Sequence, residues 1–306
     1  MSRILNYGSL NIDHVYRVPH FVQPGETLAS TEYRRFAGGK GFNQSIALGR
    51  AGAAAAHAGC IGQDGLWLRD LLVEAGVDAA HLRVGDTPTG HAIINVATDG
   101  QNSIVLFGGA NRTVTADEAG RVIGRFAPGD HLLLQNEISA VPEIMRLAHA
   151  RGLRIVFNPS PMDERVADYP LDAVSCLIFN EIEGAQLSGA TEPVRILETL
   201  RGRFPRATLV LTLGADGVLA AEEGSGPTVR VPAPRVTAVD TTAAGDTFTG
   251  YFLAERVRGA SLPEALRTAC AAAAICVTRP GAAASIPHRA EVAAANGHSL
   301  AIDSPT

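Results

Sequence analysis

Short apolar segments alternate with segments of helical spacing along most of this 306-residue chain. The apolar segments contain Val, Ile, Leu or Phe and are bounded by Gly, Pro, Asn or Asp, as is typical of buried strands. Between them, residues 141–150 and 194–203 have the spacing of amphipathic helices. This alternation predicts an α/β fold in three layers, with a doubly wound, mostly parallel sheet covered by helices on both faces. The predicted strands are residues 4–7, 131–135, 154–157, 176–179 and 208–213.

One region interrupts this alternation. Residues 27–36 and 91–107 have the pattern of antiparallel strands without an intervening helix, and Asp99-Gly100 is a good hairpin signal. We therefore predict a small β-sheet from about 12–36 and 88–108 that stands apart as a lid over a pocket; a merely structural edge hairpin is the alternative. No linker separates domains, so residues 1–306 are predicted to form one domain, ending in a flexible tail at 295–306.

The composition argues against several classes of protein. The net charge is −5 at pH 7 from a mixture of both signs, so no basic surface for nucleic acid is expected. The cysteines (Cys60, Cys176, Cys270 and Cys276) lack metal-binding spacing, which fits a reducing cytosol and no structural zinc. The alanine-rich stretch 269–277 is too short to span a bilayer and predicts a tightly packed core helix. We expect a soluble, cytoplasmic protein with no membrane partner.

The stretch VDTTAAGDTF, from Val239 to Phe248, places small residues and a glycine directly before a segment of helical spacing. Bare backbone amides at such a helix start bind phosphate or another anion. Asp246 would lie beside that anion, where its carboxylate could accept a proton from an attacking hydroxyl group. From this stretch alone, a simple helix cap explains Asp246 about equally well.

Two further segments could hold a small polar ligand. The glycine-rich stretch GGKGFN, at 38–43, precedes a predicted helix that runs to about Arg50, but it is neither a Walker A loop nor a GxGxxG motif. Asn11 and Asp13 follow the first strand and point the same way in an extended chain, which suits the adjacent hydroxyls of a sugar. A plain glycine-rich turn and an Asx turn are the structural alternatives.

Three other polar segments follow predicted strands, at the edge where a doubly wound sheet binds its ligands. Glu137 follows the strand at 131–135. Asn180 and Glu183 follow the strand at 176–179, where Asn180 could as well cap a helix. The segment TLGADG, at 212–217, follows another strand and could simply be a hairpin turn.

Taken together, these segments resemble the ribokinase family, also called the PfkB carbohydrate kinases. The resemblance runs from about Gly8 to Pro287, with the motifs in family order. Its two signatures are the glycine-rich region at 38–43 and the Asp-Thr-x-Ala-Ala-Gly-Asp-Thr-Phe region at 240–248, of which the second is highly specific. The resemblance implies a ribokinase-like fold and an ATP-dependent phosphotransferase that acts on a sugar hydroxyl.

The resemblance also implies roles for the matching residues. Asp246 would be the catalytic base, beside an anion hole formed by Ala243, Ala244 and Gly245. Together with Asp246, the residues that hold the sugar would be Asn11, Asp13, Gly39, Lys40, Asn43 and Glu137. ATP would contact Asn180, Thr212, Gly214, Asp216, Gly217, Gly245 and Cys270, while Asn180 and Glu183 would influence magnesium and phosphate binding. A monovalent cation, usually potassium, would be held by Asp240, Thr242, Cys276, Arg279, Gly281 and Ser285, the middle three through backbone carbonyls.

The resemblance makes D-ribose the leading substrate and ribose 5-phosphate the product. Fructose, another ketose or acid sugar, or a nucleoside remain alternatives, as does a sugar-binding sensor without turnover. Two departures bear on ligand choice, since Phe42 stands where a small residue is usual and Cys270 stands where many members place His or Asn near the adenine. The family further implies a homodimer formed through the lid.

Overall fold

The computed structural model describes residues 2–224 and 226–302, with side chains described as far as residue 295. Its strands are β1 (Ile4–Tyr7), β2 (Asn11–Val18), β3 (Glu32–Gly38), β4 (Ala55–Gly62), β5 (Asp78–Gly85), β6 (Gly90–Ala97), β7 (Asn102–Phe107), β8 (His131–Gln135), β9 (Arg154–Asn158), β10 (Val174–Asn180), β11 (Thr208–Thr212), β12 (Val218–Ala221) and β13 (Thr228–Val231). Its α-helices are α1 (Lys40–Arg50), α2 (Leu66–Glu74), α3 (Ala116–Ile123), α4 (Val141–Arg151), α5 (Glu181–Ser188), α6 (Pro193–Arg203), α7 (Ala244–Val257), α8 (Leu262–Val277) and α9 (Arg289–Ile302).

Nine strands form the main sheet, in the order β13-β12-β11-β10-β9-β8-β1-β4-β5. The strands from β11 to β5 run parallel, and β12 and β13 add an antiparallel edge. The five predicted strands correspond to β1, β8, β9, β10 and β11, which confirms the mostly parallel sheet. Because these strands are parallel, their carboxyl ends meet at one edge, where ligands bind in sheets of this kind.

Helices pack on both faces of this sheet. Neighbouring residues of one strand enter opposite cores: Ile4 packs with residues of α1, α2, α7 and α8, and Leu5 packs with residues of α3 to α6. A strand that is covered on both faces is a continuous run of mainly apolar residues, and this pattern predicted β1 from the sequence. Proline lies in the first turn of α4, α6 and α8, where its missing N–H would have had no helical partner. The three-layer prediction is confirmed.

The small sheet has the strand order β3-β2-β6-β7. The pairs β2–β3 and β6–β7 are antiparallel, and the latter turns between Ala97 and Asn102 as predicted. The central pair β2–β6 is parallel, a pairing that the sequence pattern did not address. The physical reason is that both strands leave the main sheet from its carboxyl edge, after β1 and after β5, and therefore run the same way.

Two predictions concern the C-terminal part of the chain. The alanine-rich stretch 269–277 lies in α8, where Ala269 and Ala272 are fully buried, so the predicted core helix is confirmed. Helix α9 covers the first part of the predicted flexible tail, and residues 303–306 of that tail lie outside the described residues. Within the described ranges, no helix is long and apolar enough to cross a membrane.

Candidate active site

Asp246 lies in the first turn of α7 and is buried, with 8% of its surface exposed. Asn43 Nδ2 donates a hydrogen bond to its Oδ2 at 3.1 Å, and Gln44 Nε2 donates one to its Oδ1 at 2.9 Å. The helix cap considered for Asp246 is not formed, because Ala243 occupies the N-cap position and no described side chain caps this helix end. The carboxylate is therefore held by α1 rather than by its own helix.

The N-terminus of α7 presents backbone amides beside Asp246. Ala243 has a left-handed backbone with a φ of 61°, which turns the chain sharply into the helix. Ala244 N donates to Thr241 O at 3.3 Å and Thr247 N donates to Ala243 O at 2.8 Å, whereas the amides of Gly245 and Asp246 have no acceptor within the helix. A Cβ added at Gly245 would have no described atom within 4 Å, so this end of the helix is open. Such a terminus carries partial positive charge and can bind phosphate.

The glycine-rich stretch turns into α1, which begins at Lys40 and ends at Arg50, in agreement with the prediction. Gly39 forms the N-cap with a φ of 93°, a conformation that side-chain-bearing residues rarely adopt. This turn sets the start of α1 so that Asn43, in its first turn, faces α7. The Phe42 side chain is fully buried and belongs to the core cluster that includes residues of α7 and α8.

Lys40 lies among the carboxyl groups of Asp246, Glu137 and Glu183. Burial would lower the pKa of the Lys40 ammonium, but the three carboxylates outweigh burial and raise it. The Lys40 backbone N donates to Glu137 Oε2 at 2.9 Å, and Ser9 Oγ donates to the same oxygen. Burial raises the pKa of Glu137, and Lys40 and Ser9 only partly offset this. The charged side chains of Lys40, Glu137, Glu183 and Asp246, from four segments of the chain, thus form one electrostatic cluster.

Asn11 and Asp13 lie within β2 rather than in a loop after β1. The Asx turn considered for them is not formed, because both residues are paired with strands on either side. Asn11 Oδ1 accepts a hydrogen bond from Asn111 Nδ2 at 2.8 Å. Burial, together with the charge of Glu137, raises the pKa of Asp13 to about 6. This interaction connects the small sheet to the cluster around Lys40.

Asn180 and Glu183 form a capping box at the start of α5. Glu183 N donates to Asn180 Oδ1 at 2.9 Å, and Asn180 N donates to Glu183 Oε2 at 3.0 Å, so the cap considered for Asn180 is present. Glu183 is only 5% exposed and contributes to the electrostatic environment of Lys40. Its second oxygen, Oε1, is left out of the capping box. The pair therefore has a structural role, and the Glu183 carboxylate also acts on the charge of Lys40.

The segment 212–217 joins β11 to the antiparallel strand β12, so the hairpin considered there is present. The four residues that were expected to contact the nucleotide lie in this turn, at the carboxyl end of β11: Thr212, Gly214, Asp216 and Gly217. Cys270 is buried in α8, and burial raises the pKa of its thiol to about 12. A neutral thiol in this position contributes packing and at most a weak hydrogen bond.

The loop before α7 is tied to the chain after α8 through Asp240. Its Oδ1 accepts hydrogen bonds from Thr242 N at 2.9 Å and Thr242 Oγ1 at 2.6 Å, and its Oδ2 accepts one from Gly281 N at 2.9 Å. Cys276 Sγ lies 3.0 Å from Ser285 Oγ and 3.7 Å from the Thr242 carbonyl oxygen. Five of the six residues expected around a monovalent cation are therefore connected by side-chain contacts.

Arg279 is the sixth, and its guanidinium pairs with Glu291 on α9. The side chain therefore takes no part in the loop, and the expected cation ligand from Arg279 is its backbone carbonyl oxygen. No group of three or more described His, Cys, Asp and Glu side chains could hold a metal ion. A cation in this loop would rely on carbonyl and hydroxyl oxygens, which suits potassium. The Asp240 carboxylate uses three of its roughly four acceptor positions in the bonds above. One position is left for a cation, so the donor set fits such an ion.

The sequence reasoning did not single out Ser9, Gln44 or Asn111, although all three contact expected site residues. Gln44 directly follows Asn43 in the glycine-rich stretch, and that adjacency was the available signal. Asn111 contacts Asn11 across 100 positions of sequence, so only the fold reveals it.

Comparisons with known proteins agree with this geometry. The profile of the pfkB family carbohydrate kinases matches residues 1–289. The chain is 37% identical over 294 residues to a ribokinase of Haemophilus influenzae, a match that covers 93% of this chain and 95% of the relative.

Two solved structures share the fold over nearly their whole length. A ribokinase of Cryptococcus neoformans var. grubii serotype A in complex with ADP has a TM-score of 0.86 and 36% identity, covering 96% of this chain and 99% of that one. Arabidopsis thaliana ribokinase complexed with ribose and ATP has a TM-score of 0.86 and 30% identity, covering 96% and 98% respectively. With the two signature segments meeting at Asp246, these matches show that the chain belongs to the pfkB family of carbohydrate kinases.

Proposed function

We propose that this carbohydrate kinase transfers the γ-phosphoryl group of ATP to the primary hydroxyl of D-ribose, giving ribose 5-phosphate. The observation that carries the proposal is Asp246, a buried carboxylate held by Asn43 and Gln44 at the N-terminus of α7. The choice of ribose and ATP is supported by the name of the Haemophilus influenzae relative and by the ligands of the Arabidopsis thaliana structure.

In this mechanism Asp246 accepts the proton of the attacking hydroxyl. The Gly245 amide, and the Ala244 amide in addition to its 3.3 Å bond to Thr241 O, stabilise the charge on the oxygens of the transferred phosphoryl group, with Ala243 shaping the turn before them. Phosphoryl transfer depends mainly on positioning and on charge stabilisation. In this proposal α1 positions the Asp246 carboxylate, and the amides of α7 stabilise the charge. The Lys40 ammonium adds positive charge in the same place.

The sugar lies between α1 and the small sheet in this proposal. Asp13 and Glu137 accept hydrogen bonds from its hydroxyls, while Asn11, Asn43 and the Gly39–Lys40 turn complete the contacts. Carboxylates and amides at fixed separations suit a polyol, because each hydroxyl needs a partner once water is displaced. Since Asn11 and Asp13 belong to β2, a bound sugar would also hold the small sheet against the site as a lid.

ATP is proposed to lie along the carboxyl ends of β10 and β11, against Asn180 and the 212–217 turn, with Gly245 at its phosphates and the α8 surface near Cys270 beside its base. Mg²⁺, when bound with the nucleotide, neutralises phosphate charge. Glu183 would support it through the carboxylate oxygen that the capping box leaves free. Asp240, Thr242, Cys276, Arg279, Gly281 and Ser285 would hold K⁺.

Two further features complete the proposal. Strand β7 lies at the edge of the small sheet and exposes Ile104, Val105, Leu106 and Phe107, so a second copy of the chain would cover this apolar edge in a homodimer. The four cysteines are free and buried, which fits a reducing, cytoplasmic setting.

The test is ADP release from Mg-ATP with a panel of ribose, fructose, other ketoses, acid sugars and nucleosides, each in potassium and in sodium. Turnover with ribose that rises in potassium supports the whole proposal. Turnover with another acceptor keeps the mechanism and rejects ribose. Sugar binding without turnover on any acceptor rejects the kinase activity and favours a sensor.

A further inference from the structure

A chain of buried amide side chains leads from the core of the sheet to Asp246. Gln44 Nε2 donates to Asp246 Oδ1 at 2.9 Å, and Gln135 Nε2 on β8 donates to Gln44 Oε1 at 2.6 Å. The same Gln135 nitrogen donates to Asn6 Oδ1 on β1 at 2.9 Å. Gln44, Gln135 and Asn6 are at most 1% exposed, so water does not compete for these bonds.

The direction of this chain is set by a backbone carbonyl. Asn6 Nδ2 donates to the Gly41 carbonyl oxygen at 2.7 Å, and a carbonyl oxygen can only accept. The Asn6 amide therefore cannot rotate by 180°, and its oxygen must face Gln135. Gln135 must then present its nitrogen to both neighbours, so the oxygen of Gln44 faces Gln135 and its nitrogen faces Asp246.

A second carbonyl imposes the same orientation from the other side. Asn158 Nδ2 donates to the Ile178 carbonyl oxygen at 2.9 Å, which leaves Asn158 Oδ1 to face the Gln44 nitrogen at 3.3 Å. Both hydrogens of Gln44 Nε2 thus have acceptors, namely Asp246 Oδ1 and Asn158 Oδ1. A reversed Gln44 amide would bring its oxygen against two oxygens, which is unfavourable in a buried site.

We propose that Gln44 is a positioning residue for Asp246 and that Gln135 acts through Gln44, as an orienter that keeps the amide donor aimed at the carboxylate. The inference rests on the proposed role of Asp246 as the base. A buried donor fixed in one orientation restricts the carboxylate rotamer, so that the oxygen that receives the proton stays aligned with the sugar hydroxyl. Among the described side chains, Gln135 donates to Gln44 and Asn6 and forms no hydrogen bond with Asp246, so its influence on catalysis would pass through Gln44.

The experiment is a double-mutant cycle on the full chain with Gln44→Met and Gln135→Met, which keep side-chain length and remove the amides. Gln44→Met is expected to lower kcat about 10–100-fold while the KM for the sugar changes less than about threefold. As a single substitution, Gln135→Met is expected to lower kcat. In the Gln44→Met background it is expected to cause no further loss, because the amide that Gln135 orients is then absent. Independent, multiplying effects of the two substitutions would overturn the proposal.

The matched control is Ser45→Ala. Ser45 Oγ accepts a hydrogen bond from Asn6 Nδ2 at 2.8 Å in the same buried cluster, and its other described partner is His57 Nδ1 at 2.7 Å. This variant should lose stability as the glutamine variants do and keep the wild-type kcat. If it loses kcat equally, the cluster acts only through stability and the positioning role is rejected.

Side-chain ¹⁵N–¹H NMR of the wild-type protein keeps the proposal testable if the variants do not fold or if no acceptor is turned over. The amide protons of Gln44 and Gln135 should exchange with solvent far more slowly than those of the exposed Gln101. Exchange as fast as that of Gln101 would show that the amides are not fixed. Absence of turnover in the wild-type enzyme would reject the proposed function separately.

Discussion

Asn43 and Asp246 are joined by a 3.1 Å hydrogen bond although they lie 203 positions apart in the sequence. The bond connects the first turn of α1 to the first turn of α7, and these helices carry the two signature segments of the family. The carboxylate that is proposed to act as a base is therefore placed by packing between two helices.

Asp246→Asn is expected to lower kcat by about 10²–10⁴-fold, because the amide cannot accept the hydroxyl proton. Sugar binding, measured by calorimetry, should stay within a few-fold of wild type, since the side chain keeps its size. Asp117→Asn is the matched control, because Asp117 is an exposed acid in the first turn of α3. Equal kcat for the wild type and Asp246→Asn would remove Asp246 from the mechanism.

Gly250→Ala is expected to lower both stability and kcat. Gly250 lies one turn after Asp246 on α7, and a Cβ there would lie 3.0 Å from Gln44 O and Leu48 N and closer still to the Ala47 side chain. The added methyl would push α1 and α7 apart, at a cost of about 1–3 kcal/mol in the free energy of unfolding. Urea unfolding and initial rates of ADP release measure the two effects.

The control for that substitution is Gly202→Ala in α6, where a Cβ would have no described atom within 4 Å. This variant should gain up to about 1 kcal/mol of stability from the lower entropy of the unfolded chain and keep kcat. If both alanine variants behave alike, close approach at Gly250 is not what couples the helices.

Asp13→Asn is expected to stabilise the ligand-free protein at pH 7 but not at pH 4. The pKa of Asp13 is raised from 3.8 to about 6 in the folded protein, so the folded state binds this proton more tightly than the unfolded chain does. The free energy of unfolding therefore falls as pH rises from about 4 to about 6 and stays lower above that range. Asparagine cannot ionise and avoids this loss. Urea unfolding of the wild type and the variant at pH 4 and pH 7 measures this loss. An equal difference in the free energy of unfolding between the two proteins at both pH values would contradict the raised pKa.

Asp240→Asn is expected to abolish the difference in kcat between potassium and sodium. Asp240 connects Thr242 to Gly281 and so sets the loop that leads into Ala243 and the helix α7 amides. An amide in its place supplies less negative charge to a cation. Rates of ADP release are compared in potassium, sodium and choline salts at equal ionic strength. A wild-type enzyme indifferent to these salts would reject the proposed cation site.

Leu106→Asp is expected to convert a homodimer into a monomer in light scattering coupled to size exclusion. Leu106 is 70% exposed on the edge strand β7, among other exposed apolar residues, and an edge charge blocks strand pairing. Val73→Asp is the matched control, because Val73 is 60% exposed on α2, a helix whose Leu68 and Leu72 pack in the core of the main sheet. A wild-type mass equal to that of one chain would reject the dimer.

Some strands could be predicted and others could not, for a reason visible in their composition. The strands β1, β8, β9, β10 and β11 are short runs of large apolar residues, because both of their faces are buried. Strand β4, with the sequence AAHAGCIG, is equally buried but consists mainly of alanine and glycine, so its pattern carries no strand signal. The parallel pairing of β2 with β6 depends on where each leaves the main sheet, which no local pattern records.

The sequence by itself determined the α/β class, the glycine-rich turn into α1, the helix start before Asp246 and the family, because these depend on local residue order or on motifs. Only the tertiary structure decided that Asn43 and Gln44 hold Asp246, that Phe42 turns into the core, and that Gln135 and Asn6 orient the Gln44 amide. Hydrogen bonds between buried side chains depend on distance and direction in space, and segments that are far apart in the chain acquire both only when the sheet and its helices pack.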